Sequence, residues 1–273
     1  MCFPLLRLYT VMNLKKPFIF LKSLPEKLNK FYNKNSNLKL VINNKSKTTK
    51  IFNPVTNFDV KFEELIRSLI ARNFPNDSII GEEFKRKNLS KNYLWSIDPI
   101  DGTKAFVVGV PTWSNLIGLV YKNKSIIGLA NFPELNRYYL NDEKNSYLFK
   151  KNKKIFIKSS KRNNLKKIKV IINLHGKNNH KKQNYLSKKL NQSVNVLKID
   201  ALSYCLLAEG KVEAVIESNL KPYDIVPLIA IIKNSGGHIT DWNNKSAVKG
   251  GNILATANKN LHQKLLKIVK KIA

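Results

Sequence analysis

Apolar residues change their spacing several times along this chain, and each change marks an element. Phe18, Phe20, Leu21, Leu24, Leu28 and Phe31 recur at helical intervals and predict one amphipathic helix within residues 13–45. Phe62, Leu65, Ile66, Leu69 and Ile70 form the stripe of a second helix. Ahead of it, in Pro54-Val55-Thr56-Asn57-Phe58-Asp59, Thr56 and Asp59 fit a capping box. Ser78 to Ile80 and Leu94 to Ile97 read as strands, the first ending in Gly81-Glu82-Glu83. Leu116 to Val120, Ile126 to Ala130 and Arg137 to Leu140 read as a meander, with turns at Lys122-Asn123-Lys124 and Pro133.

The Lys/Asn-rich stretch 141–193 carries the weakest pattern. It predicts strands at Lys154–Ile157 and Lys169–Ile172, then a polar helix. Beyond it follow a helix over 201–210 ending at Gly210, an alternating strand from Glu213 to Glu217, and a buried helix from Ile225 to Asn234 stopped by Gly236-Gly237. A last helix, from about Lys259 to Ile272, has Leu261, Leu265, Ile268, Val269 and Ile272 on one face. Its lysines read as a solvated outer face rather than a membrane surface. Helices alternating with strands predict an α/β fold. We expect a single catalytic domain over 1–273, with an N-terminal subdomain over about 13–155 and a C-terminal one over about 156–273.

Composition adds little to that picture. The 273 residues, 43% hydrophobic, are enough for a sizeable core. Cys2 and Cys205 give neither a disulfide framework nor a zinc spacing, so a reducing, cytoplasmic setting is expected. Met1 to Val11 is no convincing signal peptide, Met12 is an equally good start, and no run reaches transmembrane length. The formal charge of +31 invites a nucleic-acid reading, yet only six of the 49 basic residues are arginine. Specific recognition of bases and phosphates favours the arginine fork. Lysines spread among asparagines and isoleucines point to AT-rich coding instead. Neither a specific nucleic acid nor a membrane is therefore expected as a partner, though a basic surface can still attract an anionic substrate.

The chemistry centres on Trp95-Ser96-Ile97-Asp98-Pro99-Ile100-Asp101-Gly102-Thr103-Lys104. Two aspartates aimed into one pocket at a strand end repel each other unless a cation neutralises them, and oxygen-only ligands suit Mg²⁺. The plainer reading is a turn in which both only cap a helix. Acidic residues number just 18, and Glu82, Asp98, Asp101 and Asp224 fall within two residues of Gly or Pro at strand ends or helix starts. Such a cluster suits two or three Mg²⁺ ions and phosphate-ester hydrolysis by in-line displacement. There is no Walker A loop, no dinucleotide fingerprint and no nucleophile elbow. None of the four histidines lies beside a catalytic-looking motif, which argues against zinc and against a Ser/His triad.

Gly81-Glu82-Glu83, Asp98-Pro99-Ile100-Asp101-Gly102-Thr103, and Leu220-Lys221-Pro222-Tyr223-Asp224 before Gly236-Gly237 resemble the inositol monophosphatase family, over about residues 45–255. The resemblance implies an alternating αβαβα sandwich of the inositol monophosphatase and fructose-1,6-bisphosphatase type, and a homodimer. It implies that Glu82, Asp98, Asp101, Asp224 and the Ile100 carbonyl hold metal. Thr103 and Asp59 would activate the attacking water, Glu82 would belong to the catalytic set as well, and Gly102 and Thr103 would bind phosphate. Glu217 and Asp200 would contact the substrate, and Lys50 would match a lysine before Pro54-Val55-Thr56. Plainer readings exist: Asp59 as a helix cap, Asp200 as an N-cap, Glu217 as a solvated strand end, Glu83 as a structural neighbour.

Within the family, Thr103-Lys104-Ala105-Phe106, Leu220 to Asp224, and Tyr204-Cys205-Leu206-Leu207-Ala208 after Asp200 resemble the bacterial histidinol-phosphatase branch. Ile199, Ala201, Val110 and Asn234-Ser235 depart from it. Histidinol phosphate is therefore the expected substrate, ahead of inositol 1-phosphate and 3′-phosphoadenosine 5′-phosphate. A polyanion-binding protein or a scaffold without catalysis are the non-enzyme readings.

Overall fold

The computed structural model describes residues 14–45, 52, 54–89, 93–175, 179–190, 194, 195 and 197–272. Met1, Cys2, Met12 and Lys50 lie outside the described residues. Helix α1 (Lys15–Asn35) buries Phe20, Leu21, Leu24 and Leu28. It stops well short of residue 45, where a single helix was expected. Past Phe31 the apolar stripe gives way to Asn33-Lys34-Asn35-Ser36-Asn37, which has no face to bury and poor helix propensity. Ile42–Asn44 (β1) instead pairs antiparallel with Pro54–Thr56 (β2). Helix α2 (Asn57–Asn73) starts at the expected capping box. Thr56 Oγ1 accepts from the N–H groups of Phe58 and Asp59, and Asp59 Oδ2 accepts from the Thr56 N–H at 2.7 Å.

A seven-stranded sheet follows in chain order: β3 (Ser78–Gly81), β4 (Tyr93–Asp101), β5 (Ser114–Tyr121), β6 (Lys124–Phe132), β7 (Arg137–Asn141), β8 (Ser146–Lys150) and β9 (Lys153–Ile157). A short helix, α3 (Thr103–Val107), separates β4 from β5. Strands β3 and β4 run parallel and the later pairs antiparallel. Both central residues are left-handed in the β5–β6 turn, Lys122-Asn123, and in the β8–β9 turn, Lys151-Asn152. That geometry matches the twist of a two-residue hairpin. Strand β8 was not legible, because its neighbours are lysine and asparagine and only Ser146, Leu148 and Phe149 turn inward.

The second sheet draws on β10 (Val170–Asn173), β11 (Val194–Asn195), β12 (Ala214–Leu220), β13 (His238–Asp241) and β14 (Gly251–Thr256), ordered β11-β10-β12-β14-β13. Between and after these strands come α4 (Asn179–Leu190), α5 (Asp200–Ala208), α6 (Pro222–Asn234) and α7 (Lys259–Val269). The pattern did not mark β13 and β14. Ile253, Leu254, Ala255 and Thr256 are buried in succession, so β14 shows no alternation.

Five layers result. Helices α1 and α2 pack Leu24, Leu28, Phe62 and Ile66 onto Trp95, Ile97, Ile117 and Leu129 of the large sheet. Helices α5 and α6 fill the middle, between Leu116, Ala130 and Tyr139 on one side and Ile171, Val215 and Ile253 on the other. Helices α4 and α7 cover the outer face of the small sheet through Leu186, Leu190, Leu261 and Leu265. This is the αβαβα sandwich. Among the described residues no helix is long and apolar enough to cross a membrane.

The contact that places the functional residues is that of α6 on the large sheet. A Cβ on Gly128 would lie 1.8 Å from the Pro227 carbonyl oxygen, and one on Gly118 2.9 Å from Pro227 Cα. The two glycines let the backbone of α6 rest directly on β5 and β6. Gly128→Ala is predicted to push α6 outward and cost about 1–3 kcal/mol or more, as overpacking does. The melting temperature should then fall by roughly 3–10 °C, measurable by calorimetry.

His262 on α7 is buried, with Nε2 2.9 Å from Thr240 Oγ1 and Nδ1 3.1 Å from Thr256 Oγ1. Burial, then the neighbouring His238, lowers its pKa from 6.5 to about 4. The imidazole is neutral in the fold and protonates more readily when unfolded. Its contribution is thus present above about pH 6.5 and is lost as pH falls toward 4, up to about 3 kcal/mol. His262→Gln should flatten the fall in melting temperature across that window, and identical slopes would refute the assignment.

Candidate active site

Asp98 and Asp101 are three residues apart, so a regular strand would aim them at opposite faces. The sheet register shows why it does not. Asp98 pairs with Leu116 but Asp101 with Ser114, so β4 carries one residue more than β5. This bulge turns both carboxylates into the same cleft. Asn115 Nδ2 donates to the Pro99 carbonyl at 2.7 Å, and the Ile100 N–H to Asp98 Oδ1 at 3.1 Å, which fixes the bulge from inside. Gly102 then takes a left-handed φ of 81°. A Cβ there would lie 2.8 Å from Asp200 Oδ2, so the position needs glycine both for its backbone and for its neighbour.

Helix α6 adds Asp224. Its Oδ2 accepts from the Lys221 N–H at 2.7 Å, and it lines the same cleft as Asp98. Burial, and then the charges of Glu82, Asp101 and Asp224, push Asp98 well above the carboxylate range. Asp101 is raised likewise, first by burial and then by Asp200, although the Ala201 N–H donates to it at 2.8 Å. Asp224 is raised to about 7, chiefly by burial.

Asp59 is 1% exposed and does more than cap α2. Thr103 Oγ1 lies 3.4 Å from Asp59 Oδ1 and 3.0 Å from the Ile100 carbonyl oxygen, and its one proton can serve either. Glu82, at the end of β3, faces the same cleft. Lys45 Nζ bridges it at 2.8 Å to Glu83 at 2.5 Å. Glu83 is raised to about 7 by burial, against the pull of Lys45, and does not line the cleft.

At the other end of the cleft, Asp200 does not cap α5. It is the first helical residue, at a left-handed φ of 42°, with its side chain in the cleft. Aspartate tolerates that conformation better than most residues. Among the described residues no side chain donates to its carboxylate, whose pKa is raised by burial and then by Glu217. Glu217 is not a solvated strand end: it is 3% exposed. It accepts from Asn173 Nδ2 at 2.7 Å, His175 Nε2 at 3.1 Å and Tyr204 Oη at 2.8 Å.

The cleft holds about 850 Å³ and is lined by Glu82, Asp98, Ile100, Asp101, Gly102, Thr103, Asp200, Glu217 and Asp224. Asp59 lies just behind Thr103. Among the described residues no three acidic, histidine or cysteine side chains close on a single point as a finished cage. The carboxylates instead line the cleft separately, as oxygen donors of the kind that suits a hard cation. Sequence reasoning missed Asn173, His175 and Lys45. Asn173, the last residue of β10, pairs in register with Glu217, midway along the parallel strand β12, so the two meet where β10 ends.

The chain belongs to the inositol monophosphatase family, whose model matches residues 24–273. Members of that family are phosphoric monoester hydrolases. The chain is 35% identical over 244 residues to a chloroplastic bifunctional phosphatase, IMPL2, of Arabidopsis thaliana, covering 78% of this chain and 64% of that protein. It thus spans less than two thirds of the plant protein. It is 29% identical over 222 residues to a histidinol-phosphatase of Chlorobaculum parvum, covering 78% of this chain and 82% of that one. A solved IMPase/NADP phosphatase complexed with Mg²⁺ and phosphate shares the fold, with a TM-score of 0.78 over 93% of this chain and 95% of that one at 19% identity.

The raised pKa values carry a stability consequence. A carboxyl whose folded pKa exceeds its unfolded one stabilises the fold below about pH 4 and loses that contribution as pH rises through the folded value. At pH 7.5 without divalent cations, Asp98 is therefore a burden. Asp98→Asn should raise the melting temperature in chelator by at least about 3 °C. An unchanged or lower value would show that Asp98 is not repelled by its neighbours.

Proposed function

We propose that this protein is a Mg²⁺-dependent phosphomonoesterase for a small phosphorylated alcohol, with histidinol phosphate as its substrate. The observation that carries the reading is the β4 bulge, which turns Asp98 and Asp101 into one cleft beside Asp224 and Glu82. Glu82, Asp98, Asp101, Asp224 and the Ile100 carbonyl would hold two or three Mg²⁺ ions. Bound Mg²⁺ would neutralise the phosphate oxygens and lower the pKa of the attacking water.

The chain's own residues supply the rest. With the Thr103 proton turned to Asp59, the free lone pairs of Oγ1 face the cleft and accept from the attacking water. Asp59, buried and held by Thr56, takes the proton through that hydroxyl. The N–H groups of Gly102 and Thr103, at the start of α3, would donate to the phosphate, as the family resemblance implies. The leaving alkoxide takes its proton from water.

The leaving-group end favours an amino alcohol. Asp200 offers a half-buried carboxylate that no side chain among the described residues serves, and an ammonium group would fill it. Glu217 already has three donors, so it contributes negative potential to that end more than a vacant acceptor. Lys104-Ala105-Phe106 and Leu220 to Asp224, which resemble the histidinol-phosphatase branch, support the same choice. A cytoplasmic homodimer completes the reading.

Phosphate release should be measured with and without Mg²⁺ on histidinol phosphate, inositol 1-phosphate, 3′-phosphoadenosine 5′-phosphate and fructose 1,6-bisphosphate. Histidinol phosphate should give the highest kcat/KM, and Asp98→Asn should lower it by about 10²–10⁴. Asp200→Asn should raise KM for histidinol phosphate by about tenfold and leave inositol 1-phosphate little changed. Mg²⁺-dependent turnover at the wild-type rate in Asp98→Asn would sink the proposal. A preference for inositol 1-phosphate would sink the substrate assignment alone.

A further inference from the structure

We propose that Glu63 is a positioning residue: it fixes the turn after β3 and so aims Glu82 at the cation site. The inference rests on the reading of Glu82 as a metal ligand. Glu63 lies one helical turn beyond Asp59 on α2 and is 0% exposed. Its carboxylate does not face the cleft. It reaches across to the Gly81-Glu82-Glu83-Phe84 turn, where Oε2 accepts from the Glu83 N–H at 2.7 Å and Oε1 from the Phe84 N–H at 3.2 Å. Successive N–H groups converging on one anion form a nest, which sets the path of the backbone that carries them.

Two further features are built around this contact. A Cβ on Gly81 would lie 2.1 Å from Glu63 Oε1 and 2.4 Å from its Cδ, so glycine there makes room for the carboxylate. Arg67, one helical turn further along α2, closes the clamp. Its Nε donates to Glu63 Oε1 at 2.7 Å, its Nη2 donates to the Phe84 carbonyl at 3.2 Å, and its guanidinium lies 5.7 Å from the Phe84 ring centroid. Lysine has no fork with which to do all three. Arg67 is one of six arginines among 49 basic residues, so arginine stands here against the bias of the whole chain. At the far end of the excursion, paired hydrogen bonds of 2.9 and 2.8 Å tie Ile79 to Lys87.

The placement gives α2 two duties. Its first turn holds Asp59 against Thr103, and its second holds the loop that presents Glu82. A buried carboxylate with a single arginine is a weak way to add stability, because desolvation offsets most of the attraction. It is an effective way to hold two N–H groups at one point, which no apolar side chain can do. Glu63 therefore couples the position of Glu82 to the position of Asp59 through one rigid helix.

The test compares Glu63→Gln and Gly81→Ala with wild type. The second variant crowds the same carboxylate from the opposite side while leaving it charged. Three quantities are read: Mn²⁺ affinity by electron paramagnetic resonance, melting temperature in chelator, and the Mg²⁺ concentration for half-maximal phosphate release. Both variants should lose about tenfold or more in Mn²⁺ affinity, as loss of an outer partner of a ligand does. The Mg²⁺ requirement should rise by a similar factor, while kcat at saturating Mg²⁺ stays within about threefold. Should Glu63→Gln fail to fold, Gly81→Ala and the milder Arg67→Lys carry the comparison. Lower melting temperatures with wild-type Mn²⁺ affinity and Mg²⁺ requirement would overturn the positioning role and leave only a structural one. If wild type itself binds no Mn²⁺, the metal reading fails, and the positioning role fails with it.

Discussion

Mutual repulsion among buried carboxylates is the constraint on which this structure depends. Burial raises the pKa values of Asp98, Asp101 and Asp224, and neighbouring charges add to it: Glu82, Asp101 and Asp224 at Asp98, Asp200 and Asp224 at Asp101, Glu82 and Glu217 at Asp224. Left alone, a fold would spread such groups apart or leave them in water. Here a bulge, a left-handed glycine and two glycines under α6 force them together. Each device costs conformational freedom or packing, a cost that a bound cation would offset.

The arrangement also explains the layering. The large sheet supplies the bulged strand, and α6, in the middle layer, supplies Asp224. The C-terminal end of β10, the middle of β12 and the start of α5 supply Asn173, Glu217 and Asp200. No single layer holds a complete set, so the cleft exists only because the sheets pack through α5 and α6. Gly118 and Gly128 are therefore as much a part of the site as the acids, although neither touches the cleft.

Much of this was legible in the residues, for physical reasons. The capping box at Thr56 and Asp59 is local and speaks for itself. The spacing of Asp98 and Asp101 beside Pro99 and Gly102 is chemically unusual, so it stood out in a lysine-rich chain. What escaped was non-local. Strand β14 is buried on both faces and shows no alternation, and β8 is masked by its lysine and asparagine neighbours. The bulge itself cannot be seen without its partner strand. The donors of Glu217 lie more than ten residues away, on β10, α5 and the segment after β10. Plainer readings of Glu217 as a solvated strand end and of Asp200 as an N-cap failed because burial and helix phase depend on that packing. The abundance of lysine told little about the site, whereas the scarce residues, acids and arginines, told a great deal.

The cation proposed for Asp98, Asp101 and Asp224 would compete with protons there, because burial raises the pKa of each. Metal binding must then release protons. Calorimetric titration of the protein with Mg²⁺ at pH 7, repeated in buffers of different ionisation enthalpy, counts them directly. The account predicts a release of about one proton or more per protein, shrinking as pH rises past the raised carboxyl values. Mg²⁺ binding with no proton release at pH 7, or no binding at all, would contradict it.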